Sequence, residues 1–448
     1  MRRLALLALL LLMALLWRPG AAAAVQITRV TGPSGVEAWL VEDHSLPVIA
    51  LEFAFENGSA LDPPEKAGLA NLAMDLLDEG AGDLDSSAYK ARLEDLAIQL
   101  AFNANPDSVN GSLRTLSENA DAAFDLLRLA LTSPRFDASA VERVKVQLDA
   151  ELRQEAEEPG SIAGRAWWQS AFPDHPYGHR VKGTVASVAK IDADDLHRFV
   201  AERFGRDRLV IGVVGDMAPE RLKGLLDKTF GPLPAASAPG PVPETAAVDQ
   251  GTLLLVRKPI PQSVITFGER GIERSDPDWY AAVVMNQILA GGGLTSRLAR
   301  EVREKRGLAY GIGAGVVALR HTGVILGRVA TRNGGVEDTL KVLRDEWRRY
   351  RDEGPTEAEV AAAKTYLIGS FPLSLDSTGR VAGLLVSMQE DKLGIDYLDR
   401  RSALLGKVTR ADVQRVARRL LDPDTLRIVV VGDPKTLVGA HEIEPAGG

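Results

Sequence analysis

Several groups of residues in this sequence have types and spacings that chemistry can use. His175-Pro-Tyr-Gly-His179 sets two imidazoles four positions apart. On a helix such a pair can hold zinc. Here Pro176 and Gly178 make the segment a loop, and no second pair of ligands lies near in sequence to complete a tetrahedron. Gly291-Gly-Gly293 could be taken for a phosphate loop, but no Gly-Lys-Ser/Thr follows it. Gly311-Ile-Gly-Ala-Gly315 reads as strand glycines. No Gly-x-Ser-x-Gly elbow is present, so a serine hydrolase is not supported. Cysteine is absent, which removes disulfides, thiolate metal sites and a catalytic thiol. Taken alone, Arg303 is one of several basic residues on a helix and reads as a surface charge. His44, His197, His321 and His441 are isolated, and Trp167-Trp168 reads as core or chamber lining.

The elements that must position these residues fall into two halves. Residues 231–250 are rich in Pro, Ala and Gly and poor in periodic apolar residues, which predicts a linker between halves 25–230 and 251–448. The halves read as diverged copies. Val-Gly-Asp ends a run at Asp216 and again at Asp433, Asp195 matches Asp412, and Val48 matches Val264, with offsets of 216 or 217. A repeat of that length is a duplicated domain, not a solenoid unit. Leu51, Phe53 and Phe55 alternate with Glu52, Ala54 and Glu56, the pattern of a half-buried strand. Helices are predicted over 67–78, 118–131 and 138–157, and strands over 98–102 and 109–115 around a turn-prone Asn-Ala-Asn-Pro-Asp. Hairpin-like strand pairs with helices between them predict an α+β fold of two α/β sandwich domains, not a doubly wound parallel sheet.

The chain start reads as a secretory signal peptide over 1–24. Arg2 and Arg3 are followed by an apolar run from Leu4 to Trp17 and by Ala21 to Ala24. That run is shorter than the roughly 20 residues of a membrane span, though an uncleaved anchor is the alternative. No stable span is expected in the mature chain. Export without disulfides suits a bacterial periplasm. Removing Arg2, Arg3 and Arg18 from a formal net charge of −8 leaves about −11, which argues against nucleic acid as a partner.

The stretch from Gly58 to Leu77, GSALDPPEKAGLANLAMDLL, resembles the start of the pitrilysin/insulinase family of zinc peptidases, whose inverted motif is His-x-x-Glu-His. Aligning Gly68-Leu-Ala70 puts Asn71, Met74 and Asp75 at the His, Glu and His positions. Glu151 stands where the family's third ligand, a Glu, belongs. His175-Pro-Tyr-Gly178, both Val-Gly-Asp ends and the duplication fit the same family across the mature chain. An amide is a poor zinc ligand, and a thioether accepts no proton at useful pH, so the resemblance implies a degenerate zinc motif without a general base.

In the second half the resemblance is intact. Arg303 and Tyr310, after Gly291-Gly-Gly-Leu-Thr-Ser-Arg-Leu298, match the family's Arg and Tyr that reach the substrate at the zinc. The resemblance therefore implies an exported, non-catalytic subunit, similar in fold to mitochondrial processing peptidase. It would enclose a chamber with a zinc-bearing partner chain and offer Arg303 and Tyr310 to a peptide substrate in trans. Zinc is expected in the partner, and no cofactor or metal in this chain. The alternative is a non-enzymatic scaffold or peptide-holding relative, like the core proteins of the mitochondrial respiratory complex.

Overall fold

The computed structural model describes residues 26–445 apart from Pro239 and Asp249. The predicted signal segment and the last three residues of the second half lie outside the described residues. Two six-stranded sheets dominate. The first contains β1 (Thr28–Thr31), β2 (Glu37–Glu42), β3 (Val48–Phe55), β4 (Gln99–Ala104), β5 (Val109–Leu116) and β6 (Leu209–Gly215), in the order β1-β2-β6-β3-β5-β4. The second contains β7 (Thr252–Arg257), β8 (Gln262–Arg270), β9 (Ile312–Leu319), β10 (Thr322–Arg332), β11 (Arg427–Gly432) and β12 (His441–Glu442), in the order β12-β7-β11-β8-β10-β9.

Five of the six positions correspond, β2-β6-β3-β5-β4 matching β7-β11-β8-β10-β9, so the repeat seen in sequence is a repeat of topology; the edges differ, because β1 precedes β2 and runs antiparallel to it whereas β12 follows β11 and runs parallel to β7. In the first sheet β2 and β6 pair in parallel; in the second β7 pairs in parallel with β11 and β12. The remaining pairs are antiparallel. The matched Asp195 and Asp412 have the same task. Each is the third residue of a helix, α4 (Ala193–Arg203) and α6 (Arg410–Leu420), and each closes a capping box, with Asp192 and Thr409 respectively.

Four further labels complete the frame: α1 (Leu69–Leu76), α2 (Ala138–Glu157), α3 (Pro159–Ala171) and α5 (Thr378–Glu390). α1 is shorter than the predicted 67–78, because Gly68 at its start has φ of 97° and cannot be helical. α3 leaves its own half and lies on β11 and β8 of the second sheet, where Ile162, Ala163 and Trp167 pack against Val429 and Val431. Trp167 Nε1 donates to the Arg427 carbonyl at 3.2 Å. α5 makes the reverse crossing onto β6 and β3, packing Ala382, Leu385 and Met388 against Ala50 and Val214. Gln389 Nε2 donates to the Ile211 carbonyl at 2.9 Å. The halves are thus interlocked by exchanged helices. That exchange corrects the half-buried reading of β3. Leu51, Phe53 and Phe55 do face the first core, but Ala50 and Ala54 on the other face are buried as well.

Between Gly231 and Gln250 no helix or strand forms among the described residues. The segment is nonetheless held down. His175 Nε2 lies 3.0 Å from the Pro243 carbonyl, His321 Nδ1 lies 2.7 Å from Glu244, and Thr245 N donates to the His321 carbonyl at 3.1 Å.

Candidate functional site

The motif residues come together. α1 starts where Asp62 Oδ2 accepts from Ala70 N at 3.0 Å, and Arg203 lies 2.9 Å from the other Asp62 oxygen. Leu69, Leu72, Ala73 and Leu76 bury one side of α1 in the first core. The opposite side faces a groove of about 460 Å³, lined by Asn71, Met74, Asp75 and β4 residues 100–102, with Leu148 and Glu151 on α2 and Lys182 from the following loop.

Inside the groove Asp75, Glu79 and Glu151 each have another partner. Asn71 Nδ2 donates to Asp75 Oδ2 at 2.7 Å. Glu79 accepts from Lys90 at 2.5 Å and from Arg143 Nη1 at 3.2 Å; burial opposes its ionisation, but these cations and Ser86 hold its pKa down at about 2. Lys182 Nζ donates to Glu151 at 3.1 Å and to Glu155 at 2.9 Å. Burial works against the charge on Lys182, and the two carboxylates outweigh it, so its pKa stands above the ordinary lysine value. Burial first, and then the negative charge of Glu151, push the Asp75 carboxyl up to about 6. Met74 is 2% exposed, and where it lines the groove it offers a thioether, not a carboxylate.

This donor set does not fit zinc. An amide, a partly protonated carboxyl and a glutamate already bonded to an ammonium are a poor replacement for two imidazoles and a free carboxylate. Among the described residues no group of three or more His, Cys, Asp or Glu side chains is arranged to hold a metal ion.

The second predicted pair stands elsewhere, on the second sheet's side. After Gly291 to Gly293 the chain runs through a short helix, Arg297–Ala299, into a π-helical turn, Arg300–Glu304. Wide turns of this kind are frequent at functional sites. Val302 and Leu308 anchor the segment in the second core. Arg303 lies between them in sequence but points away, its guanidinium 5.2 Å from the centre of the Tyr310 ring. Tyr310 is 86% exposed. Arg297 and Arg300 pair with Glu359, and Lys305 and Arg306 pair with Glu301. Among the described residues Arg303 has no such carboxylate partner.

His175 and His179 do not converge on a metal. His175 is buried, with Nδ1 accepting from Tyr177 N at 3.1 Å and Nε2 at the Pro243 carbonyl. Tyr177 in turn donates to Asp107 and accepts from His321 N at 3.3 Å. The segment is a clasp between the halves and the linker. Lys182 is the residue that sequence reasoning missed; no motif marks a lysine in a loop 31 positions beyond its partner Glu151.

A duplicated mixed-sheet fold with a strand–helix groove in one half and an exposed Arg–Tyr pair in the other defines an insulinase-type architecture. Comparison with known proteins agrees. The profile "Insulinase (Peptidase family M16)" matches residues 39–185 and "Peptidase M16 inactive domain" matches residues 190–367. The chain is 30% identical over 338 residues to a Helicobacter pylori protein named "Non-peptidase homolog YmxG", covering 74% of this chain and 77% of that one. It is 25% identical over 410 residues to the Schizosaccharomyces pombe "Probable mitochondrial-processing peptidase subunit beta", covering 86% and 87%. A solved M16 inactive-domain structure from Pseudomonas fluorescens superposes with a TM-score of 0.85 at 29% identity, over 92% of this chain and 99% of that chain. The chain belongs to the insulinase (M16) peptidase family. No helix among the described residues is long and apolar enough to cross a membrane.

Proposed function

We propose that the chain is the non-catalytic subunit of a heterodimeric zinc metallopeptidase. Arg303 and Tyr310 act on a peptide held at the zinc of a partner chain that carries an intact His-x-x-Glu-His motif. One observation carries the reading: an Arg without a carboxylate partner among the described residues lies over a Tyr that is almost wholly exposed. Neither side chain contributes to a core, and together they present guanidinium and phenol donors suited to a carbonyl or oxyanion. The groove at Asn71, Met74 and Asp75 supplies neither metal ligands nor a base, so the chain alone is inactive. In this reading the two duplicated halves, joined by the 231–250 linker, form one wall of a chamber, and the mature chain is exported to the periplasm by its N-terminal signal.

A scaffold without protease function is the second reading. It is favoured by the inactive-domain match and by the name of the Helicobacter pylori relative. Co-expression with a zinc-motif chain of the same family separates the two. The first reading predicts a stable 1:1 complex whose peptidase activity requires both chains and is lost with chelator. A complex in which the zinc chain cleaves equally well without this subunit would leave the scaffold.

A further inference from the structure

The loop that carries Lys182 is locked to the start of α1 by its backbone. A side chain on Gly68 would lie 2.6 Å from the Lys182 carbonyl oxygen, and one on Gly183 would lie 2.0 Å from the Ala67 carbonyl oxygen. Both glycines have positive φ, 97° and 70°, so glycine is required there twice over. Ser187 Oγ donates to the Ala67 carbonyl at 2.7 Å and completes the seam. The backbone of Lys182 is therefore fixed against the helix that bears Asn71 and Asp75, and its side chain lines the same groove as they do. Its ammonium is shared between Glu151 and Glu155 on α2, and Arg180, two residues earlier, holds Glu155 at 3.0 Å from the other side.

We propose that Lys182 is a built-in replacement for the metal ion: a covalently tethered cation that bridges α2 and the loop after α3 and keeps divalent metals out of the groove. The missing imidazoles are then only half of why this half binds no zinc. A dication at the Glu151 carboxylate would compete with the ammonium for the same oxygens and would be repelled by it at a few ångströms. The lysine also does what a structural ion does. It neutralises two glutamates that face one loop, and it ties that loop to α2.

The test uses the full chain. Asn71→His, Met74→Glu and Asp75→His are combined to restore the motif, once with Lys182 kept and once with Lys182→Gln added. Zinc affinity is read by competition with a fluorescent chelator, and zinc per chain by elemental analysis after dialysis. The quadruple variant is expected to bind one zinc at least tenfold more tightly than the triple variant. Equal affinity in the two would overturn the proposal.

The restored chains could fail to fold, so Lys182→Gln alone provides the second measurement. That variant is expected to melt below the parent and to recover its midpoint when millimolar zinc or manganese is added, while the parent is indifferent to both metals. A Lys182→Gln chain that melts like the parent, or that metal leaves unshifted, would equally refute the tethered cation.

Discussion

The groove of the first half and the Arg303–Tyr310 pair of the second differ in how their side chains are held. In the groove the side chains are engaged with one another or buried: Asn71 bonds Asp75, Met74 packs in the core, and Lys182 sits on Glu151. The pair has donors and no enclosing shape, with Tyr310 in solvent and Arg303 stacked over it. Packing accounts for the first and not for the second. A buried methionine is held by the volume it fills. The exposed Tyr310, beside an arginine that has no carboxylate partner among the described residues, fills no volume in either core.

The largest expected effect comes from removing what shapes the groove. Asp62 and Arg203 are 7% and 6% exposed, and burial raises the Asp62 carboxyl to about 6 even beside the guanidinium. Arg203→Leu strands that carboxyl at the start of α1 and is expected to cost about 3–5 kcal/mol in denaturant unfolding. A loss below about 1 kcal/mol would mean that Asp62 is not what seats the motif helix.

The exchange of helices gives the next effect, of opposite sign. Glu52 lies on β3 on the same face as Ala50, which α5 covers, and burial pushes its carboxyl up to about 7. A carboxyl raised above its unfolded value binds more protons when folded, so stability is present at low pH and lost as pH rises from about 4 toward 7. Glu52→Gln should stabilise the fold by about 1–2 kcal/mol at pH 8, after allowance for partial solvation, and the gain should fade toward pH 4. A pH-independent difference would contradict burial as the cause.

The clasp at the linker is weaker and opposite in pH. Burial lowers the His175 pKa, and its neutral ring makes both hydrogen bonds. A base depressed below its unfolded value stabilises above about pH 6.5, and that stability is lost as pH falls through the folded value. His175→Phe should cost about 1–2 kcal/mol at pH 7.5 through the lost bonds and flatten the acid side of the stability profile. An unchanged acid limb would place the sensitivity elsewhere. The smallest effect is expected for Asp75→Asn, within about 0.5 kcal/mol, because the residue faces the open groove.

The sequence carried the duplication because matched residues serve matched structural tasks. Asp195 and Asp412 close equivalent capping boxes, and Val48 and Val264 open the equivalent strands β3 and β8 or lie near their starts. Asn71, Met74, Asp75 and Glu151 align in sequence with the family's metal-motif positions, and in the structure all four line one groove. The exchanged helices were not legible: Ala382 and Leu385 on α5 show an apolar face but not which sheet it covers. Lys182 was not legible either, since its role depends on a loop clamped by Gly68 and Gly183, a contact between segments more than a hundred residues apart. The π-helical turn that carries Arg303 leaves no periodic signal.

The central claim is that Arg303 and Tyr310 work on a partner's zinc site. Its most direct test is the turnover of the assembled two-chain complex carrying Arg303→Ala and Tyr310→Phe, assayed after complex formation has been confirmed. Loss of a single oxyanion-type donor lowers turnover by about a hundredfold to a thousandfold, and the account predicts at least that loss for the pair, with assembly and thermal stability unchanged. Full peptide cleavage by a complex bearing both substitutions would contradict it.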